Sequence, residues 1–161
     1  MAILKNLAQM SPELLRKYQL FEGAMGQAKI PFMLTSVART VKEQVALYSQ
    51  GRDPVVTVNL LRKAAKLPPI QPNQNVKVTW TLKSKHLIDL DDGDPNNDFS
   101  RAFDIVILDG NKKPTWDLKI DVNKDLIPDY IQAGKIGVSV GLIWGGNFKP
   151  NPDYPHFQDG V

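Results

Sequence analysis

Apolar residues recur at helical spacing in four segments of the chain. The first segment opens with Ser11-Pro12-Glu13, a capping Ser followed by Pro and an acid, which is typical of a helix start. Spacings of three and four between apolar residues then continue through the segment. The pattern predicts helices from Ser11 to about Lys29, Thr40 to Gln50, Val58 to Lys66, and Pro128 to Val140, the last weakened by Gly134 and Gly137. In the second helix it places Val41, Val45, Ala46 and Tyr48 on or near the buried face.

Shorter apolar runs with strand-like character lie between these helices. They predict strands at Ile30–Thr35, Val76–Thr81, Phe103–Leu108 and Ile143–Trp144. Residues 89–98 are acidic and contain Gly and Pro, which indicates a loop. Because the chain shows no repeat and no flexible linker, we expect one α+β domain over residues 1–161, with an extra segment of unassigned role near residues 53–75.

Composition narrows the possible classes of protein. A chain of 161 residues with 42% hydrophobic residues suits a single domain with a real core. No apolar run approaches the roughly 18 residues that span a membrane, and the start Met1–Asn6 lacks the pattern of a signal peptide. The net charge of +3 comes without a dense Lys/Arg block, so we expect no nucleic-acid partner. The absence of cysteine excludes disulfides and thiolate metal sites.

The sequence contains two histidines, and both lie in settings typical of metal ligands. His86 ends the run Ser84-Lys85-His86, and His156 follows Asp153-Tyr154-Pro155. Asp104 lies between them in the sequence, ahead of an apolar run. Two imidazoles, one carboxylate and a further acid three residues before a ligand suit a catalytic zinc site that keeps one position open for water. The leading hypothesis is therefore a hydrolase.

Four blocks of sequence resemble one family of enzymes. The blocks, in chain order, are the segment from Thr35 to Arg52 containing Ser36-Val37-Ala38-Arg39-Thr40 and Gln44, then Ser84-x-His86, then Ser100-x-Ala102-x-Asp104, and finally Trp144-Gly145-Gly146 with Asp153-x-Pro155-His156-Phe157. Together they look like the zinc peptidases of the D-alanyl-D-alanine carboxypeptidase and VanY type. They are most similar to the L-alanyl-D-glutamate endopeptidases that bacteriophages use as endolysins.

This resemblance implies a fold and a set of roles. The fold would be a small antiparallel sheet with flanking helices and a zinc cleft, as in hedgehog and D,D-peptidase domains. His86, Asp104 and His156 would bind zinc, and Asp153 would act as general base for the zinc-bound water. Arg39 would stabilise the oxyanion or hold a substrate carboxylate, and Ser84 would help to bind substrate.

Competing interpretations exist for several of these residues. The family has its first histidine and its aspartate close together, whereas here an acidic insertion near residues 87–99 separates them, and Ser100 stands where Gly is usual. The alternative role of Arg39 is to cap a helix or to pair with Glu43 at the surface. The alternative role of Asp153 is that of an acidic residue in a turn. The insertion supplies rival ligands for Asp104, namely Asp89, Asp91, Asp92, Asp94 and Asp98.

The resemblance also implies a substrate and a place of action. The form Asp-x-Pro-His favours the L-alanyl-D-glutamate bond of peptidoglycan stem peptides. We expect a monomer without stable membrane association, which accumulates in the host cytoplasm and reaches the wall through a separate permeabilising protein. The alternatives are a D-alanyl-D-alanine carboxypeptidase or dipeptidase, and a non-catalytic, metal-stabilised module that binds wall peptides.

A second acidic segment suggests a calcium site. Asp121, Asn123, Asp125 and Asp129 occupy the first, third, fifth and ninth positions of an EF-hand-like loop. The sixth position lacks Gly and the twelfth is Gln132 instead of Glu. The alternative is a solvated turn that starts the last helix.

Overall fold

The computed structural model describes residues 6–160, which divide into two compact units. The larger unit combines residues 6–38 with residues 100–160, and the smaller comprises residues 39–99. Whether the chain is one domain stays a prediction. The expectation about a signal peptide rests mainly on residues 1–5, which lie outside the described range. Within residues 6–160, no helix has the length and apolar character needed to cross a membrane.

The larger unit is built on an antiparallel sheet with two helices, one before its first strand and one between its strands β5 and β6 in the sequence. Four of its strands lie in the order β1-β4-β7-β6, and β5 also pairs with β4. Each of these pairings is antiparallel. The predicted α+β class with an antiparallel sheet and helices is therefore confirmed. The elements of this unit are α1 (Pro12–Gln27), β1 (Phe32–Ser36), β4 (Ala102–Leu108), β5 (Pro114–Thr115), α4 (Asp129–Ser139), β6 (Ile143–Trp144) and β7 (His156–Gln158).

Helix α1 forms as its sequence predicts. The Ser11 hydroxyl accepts a hydrogen bond from the Leu14 N–H at 3.2 Å, and Pro12 occupies the first turn. Its buried residues recur every three or four positions and pack against the sheet. These residues are Leu14, Tyr18, Phe21 and Met25.

An aromatic cluster joins α1 to the strands that carry the candidate site. Phe103 of β4 and Phe157 of β7 stack with ring centroids 5.4 Å apart. Phe21 of α1 packs against both rings, at 5.6 Å from Phe103 and 4.9 Å from Phe157. Since Phe103 precedes Asp104 and Phe157 follows His156, the packed core fixes the strand segments that present these two polar side chains on the other face of the sheet.

Helix α4 contains two glycines, which lower its helix propensity but allow it to pack closely on aromatic rings of the sheet. A Cβ on Gly134 would lie 2.3 Å from the Trp144 ring, and one on Gly137 would lie 2.5 Å from the Phe157 ring. Both glycines are therefore contact points where the helix approaches β6 and β7 too closely for a side chain. Tertiary packing outweighs the unfavourable propensity of these residues.

The smaller unit consists of two helices and a short parallel pair of strands. Its elements are β2 (Arg39–Thr40), α2 (Val41–Ser49), α3 (Val55–Ala64) and β3 (Leu87–Ile88), with β2 and β3 parallel. Thr40 caps α2 through a reciprocal capping box with Glu43. The predicted helix at Val58–Lys66 is observed, shifted to start at Val55 after Pro54. The extra segment near residues 53–75 thus supplies α3.

The predicted strand at Val76–Thr81 is wrong. Val76, Val78 and Trp80 are all more than half exposed, and the segment has no strand partner in the described residues. Its backbone carbonyls are satisfied by side chains instead: Gln44 donates to the Thr81 carbonyl at 2.7 Å and Arg52 to the Thr79 carbonyl at 3.1 Å. Because these bonds satisfy the backbone without a ladder, an alternating pattern alone did not produce a strand.

The same contacts correct the predicted buried face of α2. Ala46 is buried as expected and Tyr48 is half-buried, but Val41 and Val45 are exposed. Gln44 is buried in their place, with an exposed fraction of 1%. Its side-chain amide donates hydrogen bonds to Thr79 and Thr81, in the segment after α3. Hydrogen bonding, and not the burial of apolar side chains, therefore determines which side of α2 faces inward.

Candidate metal centre

Asp104 and His156 form the centre of the site in the larger unit. They face each other as register partners on the antiparallel strands β4 and β7. Their side chains meet directly, with Asp104 Oδ1 and His156 Nδ1 3.0 Å apart. Both are largely shielded, since their side chains are 16% and 10% exposed. Asp104 lies within a strand and not at its end, so its backbone is held by pairing on both sides.

Gln158 holds the other nitrogen of the same imidazole. Its Oε1 lies 2.9 Å from His156 Nε2. Residues two apart on a strand project from the same face, which places Gln158 beside His156 on β7. As a carbonyl oxygen can only accept, Nε2 carries the proton in this contact, and Nδ1 is left to face the Asp104 carboxylate. Gln158 is not among the predicted site residues, because an amide two residues beyond a ligand has no motif of its own.

The surroundings of His156 favour positive charge. Burial alone lowers the pKa of His156, but the hydrogen bond and charge of Asp104 outweigh it and raise that pKa above its ordinary value. The Gln158 hydrogen bond and the charge of Asp153 act in the same direction. A position that favours the imidazolium over the neutral ring also favours a bound cation.

Asp153 lies in the turn that leads into β7. Its N–H donates to the Gly145 carbonyl at 2.7 Å, and its carbonyl accepts from the His156 N–H at 3.2 Å. A Cβ on Gly145 would lie 2.4 Å from the Asp153 carbonyl oxygen, so Gly145 permits this close backbone contact. Asp153 is thus a turn residue by its backbone, and its side chain is exposed.

Trp144 belongs to the core of the larger unit. It is 7% exposed, and its indole N–H donates to the Tyr154 carbonyl at 2.9 Å. The indole therefore fastens the loop before His156 to β6 and is not placed to take part in chemistry.

The smaller unit brings together the three other predicted site residues. His86 is 2% exposed and lies in the turn just before β3, not at the end of a strand. Its N–H donates to the Ser84 hydroxyl at 3.2 Å, and its carbonyl accepts from the Arg39 N–H at 2.8 Å. The parallel pairing of β2 with β3 continues this contact. Arg39, Ser84 and His86 are therefore neighbours in space although the sequence places Arg39 far from the other two.

The hydrogen bonds around Arg39 show whether it caps helix α2. The carboxylate of Glu43 accepts from the Thr40 N–H at 2.9 Å as part of the capping box. The Arg39 guanidinium donates to the Gln44 amide oxygen, with a long N–O distance of 3.4 Å. The capping of α2 is thus supplied by Thr40 and Glu43, and not by Arg39.

The two units offer three side chains of the types that bind metal ions. Asp104 and His156 of the larger unit offer a carboxylate oxygen and an imidazole nitrogen 3.0 Å apart. His86 of the smaller unit offers a second, buried imidazole. The pairing of β4 with β7 sets Asp104 opposite His156, which favours Asp104 over the rival acids between residues 89 and 98. Two nitrogen donors and one oxygen donor suit zinc, and they also suit other first-row metals.

The larger unit is an α+β fold that carries a carboxylate–histidine pair of the kind that binds metal ions. Residues 96–159 match the profile of a peptidase family described as D-alanyl-D-alanine carboxypeptidase. That segment covers β4 to β7 and so includes Asp104, Asp153 and His156.

Two particular proteins are similar to this chain. The peptidoglycan L-alanyl-D-glutamate endopeptidase CwlK of Bacillus subtilis is 23% identical over 137 residues, which are 85% of this chain and 65% of that protein. The chain thus spans slightly less than two thirds of that relative. The crystal structure of the Serratia marcescens L-Ala D-Glu endopeptidase ChiX superposes with a TM-score of 0.54 at 19% identity, covering 95% of this chain and 82% of that one. At that identity the likeness to ChiX concerns the fold.

Proposed function

We propose that this protein is a zinc-dependent peptidase that hydrolyses the L-alanyl-D-glutamate bond of peptidoglycan stem peptides. The observation that carries the proposal is the pair of Asp104 and His156, whose side chains meet at 3.0 Å inside the segment that matches the peptidase profile. The family match over residues 96–159 and the similarity to CwlK support the reaction and the bond. The endolysin role, with release through a separate permeabilising protein, is part of the same proposal and rests on the sequence resemblance alone.

The donor set fits zinc. His156 presents Nδ1 beside the Asp104 carboxylate, and the environment of its ring favours a cation. Zinc held by His86, Asp104 and His156 would supply a Lewis acid that polarises the scissile carbonyl and makes water a stronger acid. Removing the metal with a chelator should therefore abolish peptidoglycan hydrolysis, and stoichiometric zinc should restore it. Full activity in metal-free protein would contradict the proposal.

The protein's own residues would perform the proton transfers and stabilise charge. Asp153 would take a proton from the attacking water and deliver it to the leaving amine. Arg39 would place its fixed positive charge where the tetrahedral intermediate becomes negative, or would bind a carboxylate of the stem peptide. Ser84 would contribute a hydroxyl to substrate binding. These roles stay predictions.

Replacing Asp153 by Asn tests the general base. We expect kcat to fall by about 10²- to 10⁴-fold, because the amide cannot accept the proton. Zinc content and thermal stability should stay unchanged, since the side chain is exposed. Peptidoglycan turbidity assays, metal analysis and thermal unfolding measure these quantities. Asp53→Asn, another exposed acid, is the matched control and should keep full activity.

The Asp153→Asn variant also separates the enzyme from a wall-binding module. A module would bind peptidoglycan equally well with or without the substitution and would hydrolyse it in neither form. Unchanged peptide hydrolysis by the variant would remove Asp153 from the mechanism.

Gln158 should act as a positioning residue for the metal ligand His156. Its amide oxygen fixes the proton on Nε2 and so leaves Nδ1 to bind the ion. We expect Gln158→Leu to weaken zinc affinity by about 10- to 100-fold, measured by competition with a chelator. Gln158→Glu keeps an acceptor at the same place and should restore most of that affinity. Equal zinc affinity in the Leu variant and the wild type would show that Gln158 does not position the ligand.

A D-alanyl-D-alanine carboxypeptidase is the second candidate. The description of the matching family profile favours it. Both activities would use the same ligands and base, so they differ in the bond that the bound peptide presents. Product analysis distinguishes them.

A further inference from the structure

The start of α4 contains a carboxylate whose burial the proposed peptidase chemistry does not explain. Asp129, the first residue of α4, is fully buried. Its Oδ2 accepts from the Val122 N–H at 2.8 Å, but its Oδ1 is buried without a hydrogen-bond partner among the described residues. A buried carboxylate oxygen without a partner is costly, and native proteins rarely leave one unless an ion or another group compensates it.

Two further acids lie next to this carboxylate. Burial raises the pKa of Asp129, and the charges of Asp121 and Asp125 raise it further. The charges of two acids therefore act on the buried Asp129 carboxyl group, and no Lys or Arg within residues 6–160 is seen to form an ion pair with any of the three acids. A divalent cation would offset the mutual repulsion and complete the coordination of the buried Asp129 oxygen.

The backbone of the loop is wound around its own side-chain oxygens. Asp121 accepts from the Asp125 N–H at 3.1 Å and from the Leu126 N–H at 3.0 Å. Asp125 accepts from the Ile127 N–H at 2.9 Å. The side-chain oxygens at positions one and five of the loop therefore accept hydrogen bonds from the backbone of the loop itself.

Leu126 supplies the backbone conformation that the sequence seemed to lack. It occupies position six, where EF-hand loops have Gly for a sharp turn. Its φ is +71°, in the left-handed region that Gly adopts most easily. The side chain is 91% exposed, so it does not obstruct the turn. The missing Gly is therefore no obstacle to the loop conformation.

Three oxygens surround the side-chain amide nitrogen of Asn123, at position three of the loop. The Asn123 amide nitrogen lies 2.9 Å from the Ala28 carbonyl oxygen, 3.1 Å from Asp125 Oδ2 and 3.2 Å from Gln132 Oε1. Gln132 stands at position twelve and thus lies within reach of the acidic residues. It can offer one oxygen where the usual Glu offers two, which lowers the expected affinity.

We propose that residues 121–132 bind one calcium ion. The ligands would be the carboxylates of Asp121, Asp125 and Asp129 together with neutral oxygens of the loop. Among the described residues these three acids are not in a group with ligand atoms within 4.8 Å of one another, so binding would draw their carboxylates closer. The neutral ligands would be the side-chain oxygens of Asn123 and Gln132 and the backbone carbonyl of Ile127.

Calcium at this place would stabilise the larger unit. The Asp129 N–H donates to the Ile120 carbonyl at 2.7 Å, and the next residue, Tyr130, is fully buried in the core. The same helix carries Gly134 and Gly137, which pack on Trp144 and Phe157. An ion that fixes the start of α4 would therefore stabilise the packing behind β7. This role is independent of the proposed peptidase activity.

Calcium titration of the zinc-loaded full chain tests the proposal. We expect a dissociation constant on the order of 10⁻⁴ M by calorimetry, and a rise in Tm of about 5 °C or more at a hundredfold excess over that constant. Magnesium at the same concentration should produce a much smaller rise, because it demands a stricter octahedral geometry. No calcium heat and no rise in Tm would overturn the proposal, as would an equal response to magnesium.

Four substitutions locate the ion. Asp125→Asn and Asp129→Asn should each weaken calcium affinity at least tenfold, and Asp125 is exposed, so its variant should fold even if the other does not. Asp117→Asn, an exposed acid just before the loop, should bind calcium like the wild type. Unchanged affinity in Asp125→Asn would overturn the assignment. So would loss of binding in Asp91→Asn, which would place the ion in the loop of residues 89–98.

Discussion

Asp104→Asn is expected to lose zinc and, with it, peptidoglycan hydrolysis by about 10³-fold or more. The substitution keeps the shape of the side chain but removes the negative charge that lies 3.0 Å from His156 Nδ1. A metal ion contributes several kcal/mol to the stabilisation of a hydrolytic transition state, and each ~1.4 kcal/mol corresponds to a factor of ten in rate. Metal analysis after dialysis and a peptidoglycan turbidity assay measure the two losses.

Asp91→Asn is the matched control for Asp104. It removes one charge from the acidic loop that offered rival ligands, and it should keep both zinc and activity. The reverse result, with Asp104→Asn active and Asp91→Asn inactive, would move the metal site into the loop of residues 89–98.

Phe157→Ala is expected to cause the largest loss of stability, about 3–5 kcal/mol in the free energy of unfolding. The ring is fully buried, stacks on Phe103, packs against Phe21 and touches the helix at Gly137. Its removal would leave a cavity between α1, α4 and the sheet, which these rigid elements could fill only partly. Denaturation in urea measures the loss.

Trp116→Ala provides the comparison for Phe157. This aromatic residue is 64% exposed, so its loss should change the free energy of unfolding by no more than about 0.5 kcal/mol. Similar costs for the two variants would show that the aromatic cluster does not support β7, and the account of how His156 is held would fail.

Much of the fold was predictable because its signals are local. Ser11 and Pro12 predicted the start of α1, and the apolar run after Ala102 predicted β4. The prediction of helix α4 was weakened by its two glycines. In the structure each of these glycines makes room for an aromatic ring. In that case the residue that weakened the local signal is the one that the tertiary contact requires.

The errors arose where side chains far apart in sequence decide the outcome. The alternation at Val76–Thr81 is typical of a strand, yet Gln44 and Arg52 bind its carbonyls and, within the described residues, no strand pairs with it. On α2, Gln44 is buried instead of the predicted Val41 and Val45, because its amide makes hydrogen bonds to residues far away in the sequence. Neither contact leaves a periodic pattern in the sequence, so local analysis could not find it.

The candidate site was predictable from motifs but not from spacing. His86, Asp104 and His156 come from distant positions, and five other acids competed for the place of Asp104. The pairing of β4 with β7 favours Asp104, because it sets this residue opposite His156. Gln158 was overlooked because an amide two residues beyond a ligand has no motif of its own. Its role follows only from the position of the imidazole.

The most direct test of the central proposal is the chemistry of the new ends that the protein creates in peptidoglycan. Purified peptidoglycan is digested with the zinc-loaded protein, and the products are analysed by mass spectrometry after labelling of free amines. Cleavage between L-alanine and D-glutamate predicts stem fragments with a new N-terminal D-glutamate, and none in the Asp104→Asn control. Release of free D-alanine instead would contradict the proposed bond, and the absence of any new terminus would contradict the proposed peptidase.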